Sequence, residues 1–267
     1  MLISSHSNQN VKFVRSLRQR KQREQSGFFF VEGIRLVGEA VQLEVAIHTL
    51  VVAPELLSSA FAIELMETQR ARGVPLLEVT AEVFRGLSLK EGPQGLGAII
   101  QQHWEALSDV QPGPELGWVA LDAAQDPGNV GTILRTGDAV GSAGLLLLGN
   151  ATDPYDPATL RASMGAIFSQ RLVRASFEEF WAWKRQHGYT VIGTSDKANH
   201  DYQAAVYKPP LVLLMGSERQ GLAPEQQANC DLMVSIPMIG RSDSLNLAVA
   251  TGVVLYEIFN QRRKVQP

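Results

Sequence analysis

From residue 121 onward the chain carries three polar blocks in a fixed order, each set against a short apolar run. They read LDAAQDPGNVGTILRTGDAVG at 121–141, LLMGSERQGL at 213–222 and IPMIGRSDSLNLAVATGVVLYEI at 236–258. Apolar runs of this length bounded by glycine read as buried strands. Each run has Gly, Asn, Ser, Glu or Arg just beyond it. In an open α/β sheet, ligands bind in the crevice outside the carboxyl ends of the strands. Three strand ends with matched polar chemistry therefore imply one composite site.

The surrounding pattern supports that architecture. WVALD, GLLLLG, QRLVRA, YTVIGTS, LVLLMG and LMVSIP alternate with helical segments, and a long helix is predicted from 246 to about 263. Continuous apolar runs such as LVLLM point to parallel strands buried on both faces. The expectation is an α/β parallel-sheet domain over 118–267. Ahead of it, a basic helix near 8–24, a strand at 28–33, a helix at 35–42, strands at 47–53, 75–79 and 95–101, and further helices predict a smaller α/β domain over 1–104. EALSDVQPGPELG, with two prolines and two glycines, is the predicted linker at 105–117.

Composition narrows the function classes. With 267 residues, 45% hydrophobic and 19% charged, the chain suits two folded domains rather than disorder. The single cysteine, Cys230, leaves neither an intramolecular disulfide nor a CxxC zinc site and points to a reducing, cytoplasmic setting. The N-terminus has no apolar signal region, and no run approaches the roughly 18 apolar residues of a membrane span. His6, His48, His103, His187 and His200 lack ligand spacing, so no metal site is expected. Neither GxGxxG after a strand nor GxxxxGK[ST] is present, which gives no support to a dinucleotide fold or a P-loop.

The net charge of −3 hides an asymmetry. Lys12, Arg15, Arg18, Arg20, Lys21 and Arg23 place six positive charges and no acid in the first 23 residues, whereas 24–116 hold five Lys/Arg against thirteen Asp/Glu. A basic amphipathic helix of this kind, with Val11, Val14 and Leu17 on its apolar stripe, is either a solvated face or a track for phosphates. Lys12, Arg15, Arg18, Lys21 and Arg23 are the RNA-binding candidates.

In the first block, Asn129, Gly131 and Arg135 stand at N-x-G-x-x-x-R. A turn at Asp126-Pro127-Gly128 predicts a helix starting near Asn129. Arg135 would then lie about one and a half turns in, close to the side that carries Asn129. An Arg there can clamp a phosphate bidentately; in isolation the same spacing is equally a helix cap and a surface ion pair. In the second block, Gly216 and Gly221 permit close backbone approach, and Glu218 reads as an acceptor that orders the loop. It is not a GxSxG nucleophile elbow. In the third, Ser244 reads as a helix N-cap.

Taken together, N-x-G-x-x-x-R, G-x-E-x-x-G-L, I-P-M and S-L-N in this order resemble the signature motifs of the SpoU (TrmH) family of knotted RNA ribose 2′-O-methyltransferases. Arg161-Ala162-Ser163-Met164-Gly165-Ala166 is similar to that family's R-A-S-x-G-A stretch. NVKFVRSLRQRKQREQSGFFFVEGIRLVGEA and GPQGLGA resemble its ribosomal-protein-like substrate-binding domain, so the likeness covers nearly the whole chain. It implies a trefoil-knotted methyltransferase domain, a homodimer with active sites near the interface, and S-adenosylmethionine as methyl donor. It implies Gly216, Ile236 and Leu245 as cofactor positions, with Thr194, Leu214 and Met238 as neighbours. It also implies a catalytic shell of Arg135, Asn129, Glu218, Ser244 and Asn246, acting on RNA that the N-terminal domain favours as ribosomal. The family's proposals make the Arg a proton acceptor; a guanidinium, protonated to about pH 12, suits clamping and polarising better. The alternatives are a non-catalytic RNA-binding protein on the same fold, a transfer-RNA ribose methyltransferase, and a knotted enzyme acting on a base nitrogen, against which N-x-G-x-x-x-R with S-L-N argues.

Overall fold

The computed structural model describes residues 2–265. They form two compact units: one runs to Gln102 and includes Tyr155–Phe168, and the other comprises His103–Pro154 with the chain from Ser169 on.

The first unit contains α1 (Gln9–Ser16), α2 (Arg20–Ser26), β1 (Phe28–Glu32), α3 (Ile34–Gln42), β2 (Ile47–Val52), α4 (Ala60–Ala71), β3 (Leu76–Glu78), α5 (Ala81–Leu87) and β4 (Leu96–Gln101). Its sheet runs β1-β4-β2-β3, with β4 antiparallel to both neighbours and β2 parallel to β3. Alternation in FFFVE sends Phe29 and Val31 into a buried face. Val11, Val14 and Leu17 pack with Val83, Phe84 and Leu87 over Val51 and Ile99.

The basic segment expected as one helix near 8–24 is two helices, broken at Leu17–Gln19. A break exposes carbonyls that need donors. Arg23 supplies them: its Nη1 donates to Leu17 O at 2.9 Å and to Arg18 O at 2.8 Å, and its Nη2 lies 3.4 Å from Asp156 Oδ2. At 1% exposure Arg23 is a buried structural cation. That burial removes it from the RNA-binding set.

The second unit holds β5 (Trp118–Asp122), α6 (Pro127–Val140) and β6 (Gly144–Leu148). After α7 (Pro157–Ser163), which belongs to the first unit, come β7 (Arg171–Ala175), α8 (Phe177–His187), β8 (Thr190–Thr194) and β9 (His200–Asp201). β10 (Leu211–Met215), α9 (Pro224–Asn229), β11 (Leu232–Ser235) and α10 (Leu247–Val265) complete it. Its seven strands run β7-β6-β5-β10-β8-β11-β9 and every pairing is parallel. LVLLM at β10 is buried throughout and sits mid-sheet, Leu214 pairing with Ala120 and Gly193. Parallel order puts the tips of β5, β8, β10 and β11 on one edge of the sheet. The composite site needs that arrangement.

The proline- and glycine-rich stretch at 105–117 lies along this unit. Arg171 grips the Glu105 carboxylate bidentately, Val110 is fully buried, and Trp183 Nε1 donates to Val110 O at 3.0 Å. Among the described residues no helix is long and apolar enough to cross a membrane. No group of three or more His, Cys, Asp or Glu among them could hold a metal ion.

Candidate active site

Helix α6 starts at Pro127, two residues earlier than the turn pattern suggests, because Asp126 caps it: Asp126 Oδ1 accepts from Asn129 N at 3.1 Å. Proline at the first position needs no partner for a missing N–H. This start buries Asn129 just beyond the tip of β5. Six residues along an α-helix turn through about 600°, so Arg135 stands roughly 120° around the axis from Asn129. The two therefore face differently. Asn129 points inward, while Arg135 is exposed and has no hydrogen bond or ion pair with any described residue.

The second loop leaves the tip of β10 through Gly216, which no other residue could replace. A Cβ there would lie 2.2 Å from Gly221 C and 2.3 Å from Leu222 N. The tight return, closed by Gly221 N donating to Ser217 O at 2.9 Å, delivers Glu218 to the start of α6. Glu218 Oε1 accepts from Asn129 Nδ2 at 3.2 Å and Asp126 N at 3.3 Å, and Oε2 accepts from Gln125 N at 3.2 Å. Burial pushes this carboxyl up. Its own backbone N–H, the Asn129 amide and the Gln125 and Asp126 N–H groups outweigh that and hold it below its ordinary range.

The third loop ends at Asn246, which caps α10 in place of Ser244. Its Oδ1 accepts from Ala248 N at 2.9 Å and Val249 N at 3.3 Å. Its Nδ2 turns back and donates to Asn129 Oδ1 at 2.9 Å. Asn129, Glu218 and Asn246 thus form one chain of hydrogen bonds through all three polar blocks, 89 and 117 residues apart in sequence from Asn129. The packing of α10 on α6 holds the two asparagines face to face.

The remaining candidates divide. Leu214 is buried in β10, and Thr194 ends β8 with its hydroxyl donating to Met215 Sδ at 3.5 Å. Ile236 is half-buried beyond β11, whereas Met238, Ile239 and Leu245 expose apolar side chains on the third loop. Ser244 is exposed and bonds only to Asp243 Oδ1 at 3.3 Å, outside the hydrogen-bond chain. Of the basic set, Lys12 and Lys21 are exposed and Arg15 lies 3.2 Å from His6 Nδ1. Arg18 donates to Gly86 O at 3.0 Å and Ser88 O at 3.2 Å. Sequence reasoning missed Gln125 and Asp126, whose backbone N–H groups bind Glu218; the Asp-Pro pair at a helix start was the available signal.

The strand edge gathers a glycine cradle, uncovered apolar side chains and a fixed amide–carboxylate chain, with the free guanidinium of Arg135 on another side of α6. Apolar surface beside convergent polar groups is the makeup of a small-molecule site. Comparisons with known proteins show the family. Residues 118–256 match the SpoU rRNA Methylase family, and residues 8–98 match the MRM3-like substrate binding domain. The chain is 33% identical to the 23S rRNA (uridine(2479)-2′-O)-methyltransferase of Streptomyces viridochromogenes over 92% of its length and 87% of that protein's. It is 27% identical to the 23S rRNA (guanosine(2553)-2′-O)-methyltransferase RlmP of Bacillus subtilis, over 96% and 98% respectively. A crystal structure of an AdoMet-bound rRNA methyltransferase from Sinorhizobium meliloti superposes with a TM-score of 0.89 at 39% identity, covering 100% of this chain and 99% of that one.

Proposed function

Because the chain belongs to the SpoU rRNA methylase family, we propose that it transfers a methyl group from S-adenosylmethionine to a ribose 2′-hydroxyl of 23S ribosomal RNA. The observation that carries this reading is the Asn129–Glu218–Asn246 hydrogen-bond chain joining the three strand-end loops.

S-adenosylmethionine supplies an electrophilic methyl group on a sulfonium, a leaving group that needs little help. The chain's own residues therefore have to align and to polarise. Gly216, Ile236 and Leu245 are assigned to the adenosine and methionine portions, with Thr194, Leu214 and Met238 beside them. The uncovered apolar side chains of the third loop fit such a ligand. Both oxygens of Glu218 are committed to N–H donors, so it fixes loops and does not take the 2′-OH proton. Asn129 and Asn246 hold each other and the helix starts. Ser244, outside that chain, is left for the RNA or the donor to engage. Arg135 clamps a phosphate and polarises the hydroxyl, whose proton passes to solvent. Alignment of this kind contributes about 7–11 kcal/mol toward the barrier.

Residues 118–267 are the methyltransferase domain in this reading, 105–117 the connecting segment and 1–104 the RNA-binding domain, where Lys12, Arg15 and Lys21 meet phosphates while Arg18 remains tied to carbonyls. The family's trefoil knot and a cytoplasmic location belong to the same reading. Purified chain should incorporate labelled methyl into an unmodified 23S rRNA transcript at one nucleotide, mapped as a 2′-O-methyl stop in primer extension. Incorporation into transfer RNA alone, or into nothing, would sink it.

The reading includes a homodimer. Helix α10 packs on α6 and β10, yet Val249 remains 53% and Tyr256 47% exposed, seven residues apart on one stripe with half-buried Val253 between. Two turns of exposed apolar helix are covered at low cost by a second copy. Light scattering at micromolar concentration should give about twice the 29.2 kDa chain mass; a monomer there would refute the assembly.

A further inference from the structure

The R-A-S-x-G-A stretch has no place in the chemistry above. It packs within the first unit, where α7 ends at Ser163 and Met164 turns into the left-handed region with φ 54°. There it helps to form a cleft of about 410 Å³, counting the solvent at its mouth. Leu17, Leu87 and Leu89 line the cleft together with Pro157 and Leu160, and Arg18 and Arg161 add guanidinium groups. Arg161 is exposed, and its guanidinium has no hydrogen bond or ion pair with any described residue.

Strand β1 is the outer strand of its sheet, and Phe30 lines this cleft. Gln102 N donates to Gly27 O at 2.7 Å and Gly33 N to Leu96 O at 2.8 Å, which fixes the parity of the β1–β4 ladder. In an antiparallel pair alternate residues exchange both bonds, so the backbone polar groups of Phe28, Phe30 and Glu32 point away from β4. Two of the three positions are half occupied: Phe28 N donates to Ser26 Oγ at 3.2 Å, and Lys90 Nζ donates to Glu32 O at 3.0 Å. Phe28 C=O and Glu32 N–H stay open, and Phe30 is the position where both the N–H and the C=O find no partner among the described residues.

We propose that this cleft is a nucleobase slot, in which the free N–H and C=O of Phe30 read the edge of one unpaired base of the RNA and Arg161 holds its flanking phosphate. The inference rests on the RNA-methyltransferase reading above and names a contact that selects its substrate. An apolar slot with one donor beside one acceptor is the complement of an unstacked base edge. The guanidinium at the rim matches an anionic ligand. An added peptide strand would need successive outward positions on β1 with both N–H and C=O open, and the Phe28 N–H and the Glu32 C=O are already taken.

The test uses the full chain with an unmodified 23S rRNA transcript as probe. Leu89→Trp should fill the slot and Arg161→Gln should remove the clamp. Each should weaken transcript binding and raise the KM for RNA about tenfold, the scale of one stacked base. S-adenosylmethionine affinity and kcat should hardly change. Leu89 is half exposed, so Leu89→Ala, which leaves the slot open, should bind nearly as the wild type does. A photo-crosslinking residue at position 89 should capture RNA. Wild-type transcript binding by both Leu89→Trp and Arg161→Gln overturns the proposal, as does a crosslink from ribosomes to protein only. If the wild type methylates no ribosomal RNA, the function reading falls, while transcript affinity and the crosslink still decide the slot.

Discussion

Arg135→Ala is expected to remove more than nine-tenths of methyl transfer while leaving S-adenosylmethionine affinity close to that of the wild type. The expectation follows from where α6 puts the residue. Arg135 stands about 120° around the helix from Asn129, exposed, with no described partner to hold it. Truncation therefore breaks no hydrogen bond or ion pair with a described residue, and folding stability should change little, as at surface sites generally. A loss confined to kcat, with cofactor binding intact, is the mark of an interaction made with the acceptor in the transition state. Arg135→Lys separates clamping from simple charge: a lysine keeps the positive charge and loses the bidentate fork. It should restore only part of the rate. An Arg135→Ala enzyme that keeps more than a tenth of wild-type kcat would limit the contribution to less than about 1.4 kcal/mol and end the assignment.

What was legible beforehand, and what was not, separates along a physical line. Buried parallel strands announce themselves because burial on both faces demands unbroken apolar runs, so LVLLM and GLLLL read correctly from composition alone. The strand-end loops were legible for a similar reason, since glycine and amide residues cluster where backbone must turn beside a ligand. Arg23 was not legible. Its burial depends on carbonyls left open by a helix break at Leu17–Gln19 and on Asp156, 133 residues away. No periodicity encodes such a partner. The cap of α10 was misread for a smaller reason. Ser and Asn are both good N-caps, and Ser244 and Asn246 lie two residues apart; the choice fell to Asn246 because its amide also reaches Asn129. The placement of 155–168 with the first unit was equally hidden, although the Tyr155 ring packs at a tilt against Phe29 with centroids 4.6 Å apart.

Asn129→Ala should have the broader effect. The Asn129 side chain is nine-tenths buried, donates to Glu218 and accepts from Asn246. Its removal leaves a carboxylate and an amide each short of a partner. Stranding such groups costs about 1–3 kcal/mol, and loops that drift by an ångström cost about 10²-fold in rate. Unlike Arg135→Ala, this variant should lose both S-adenosylmethionine affinity and kcat, because the loops it releases include the assigned cofactor positions. Glu218→Gln tests the same chain from its other end. The native carboxyl sits below its ordinary range. Its contribution is therefore complete above the unfolded-state pKa and is lost only as pH falls through the lower folded-state value. Wild-type cofactor affinity should hold through weakly acidic buffer and fall in stronger acid, whereas Glu218→Gln should be weak throughout with no such step. The double variant Asn129→Ala/Glu218→Gln should be little worse than either single one, the non-additivity of residues in one network. Additive losses, or an acid step that survives in Glu218→Gln, would show that the three loops are held by something other than this chain.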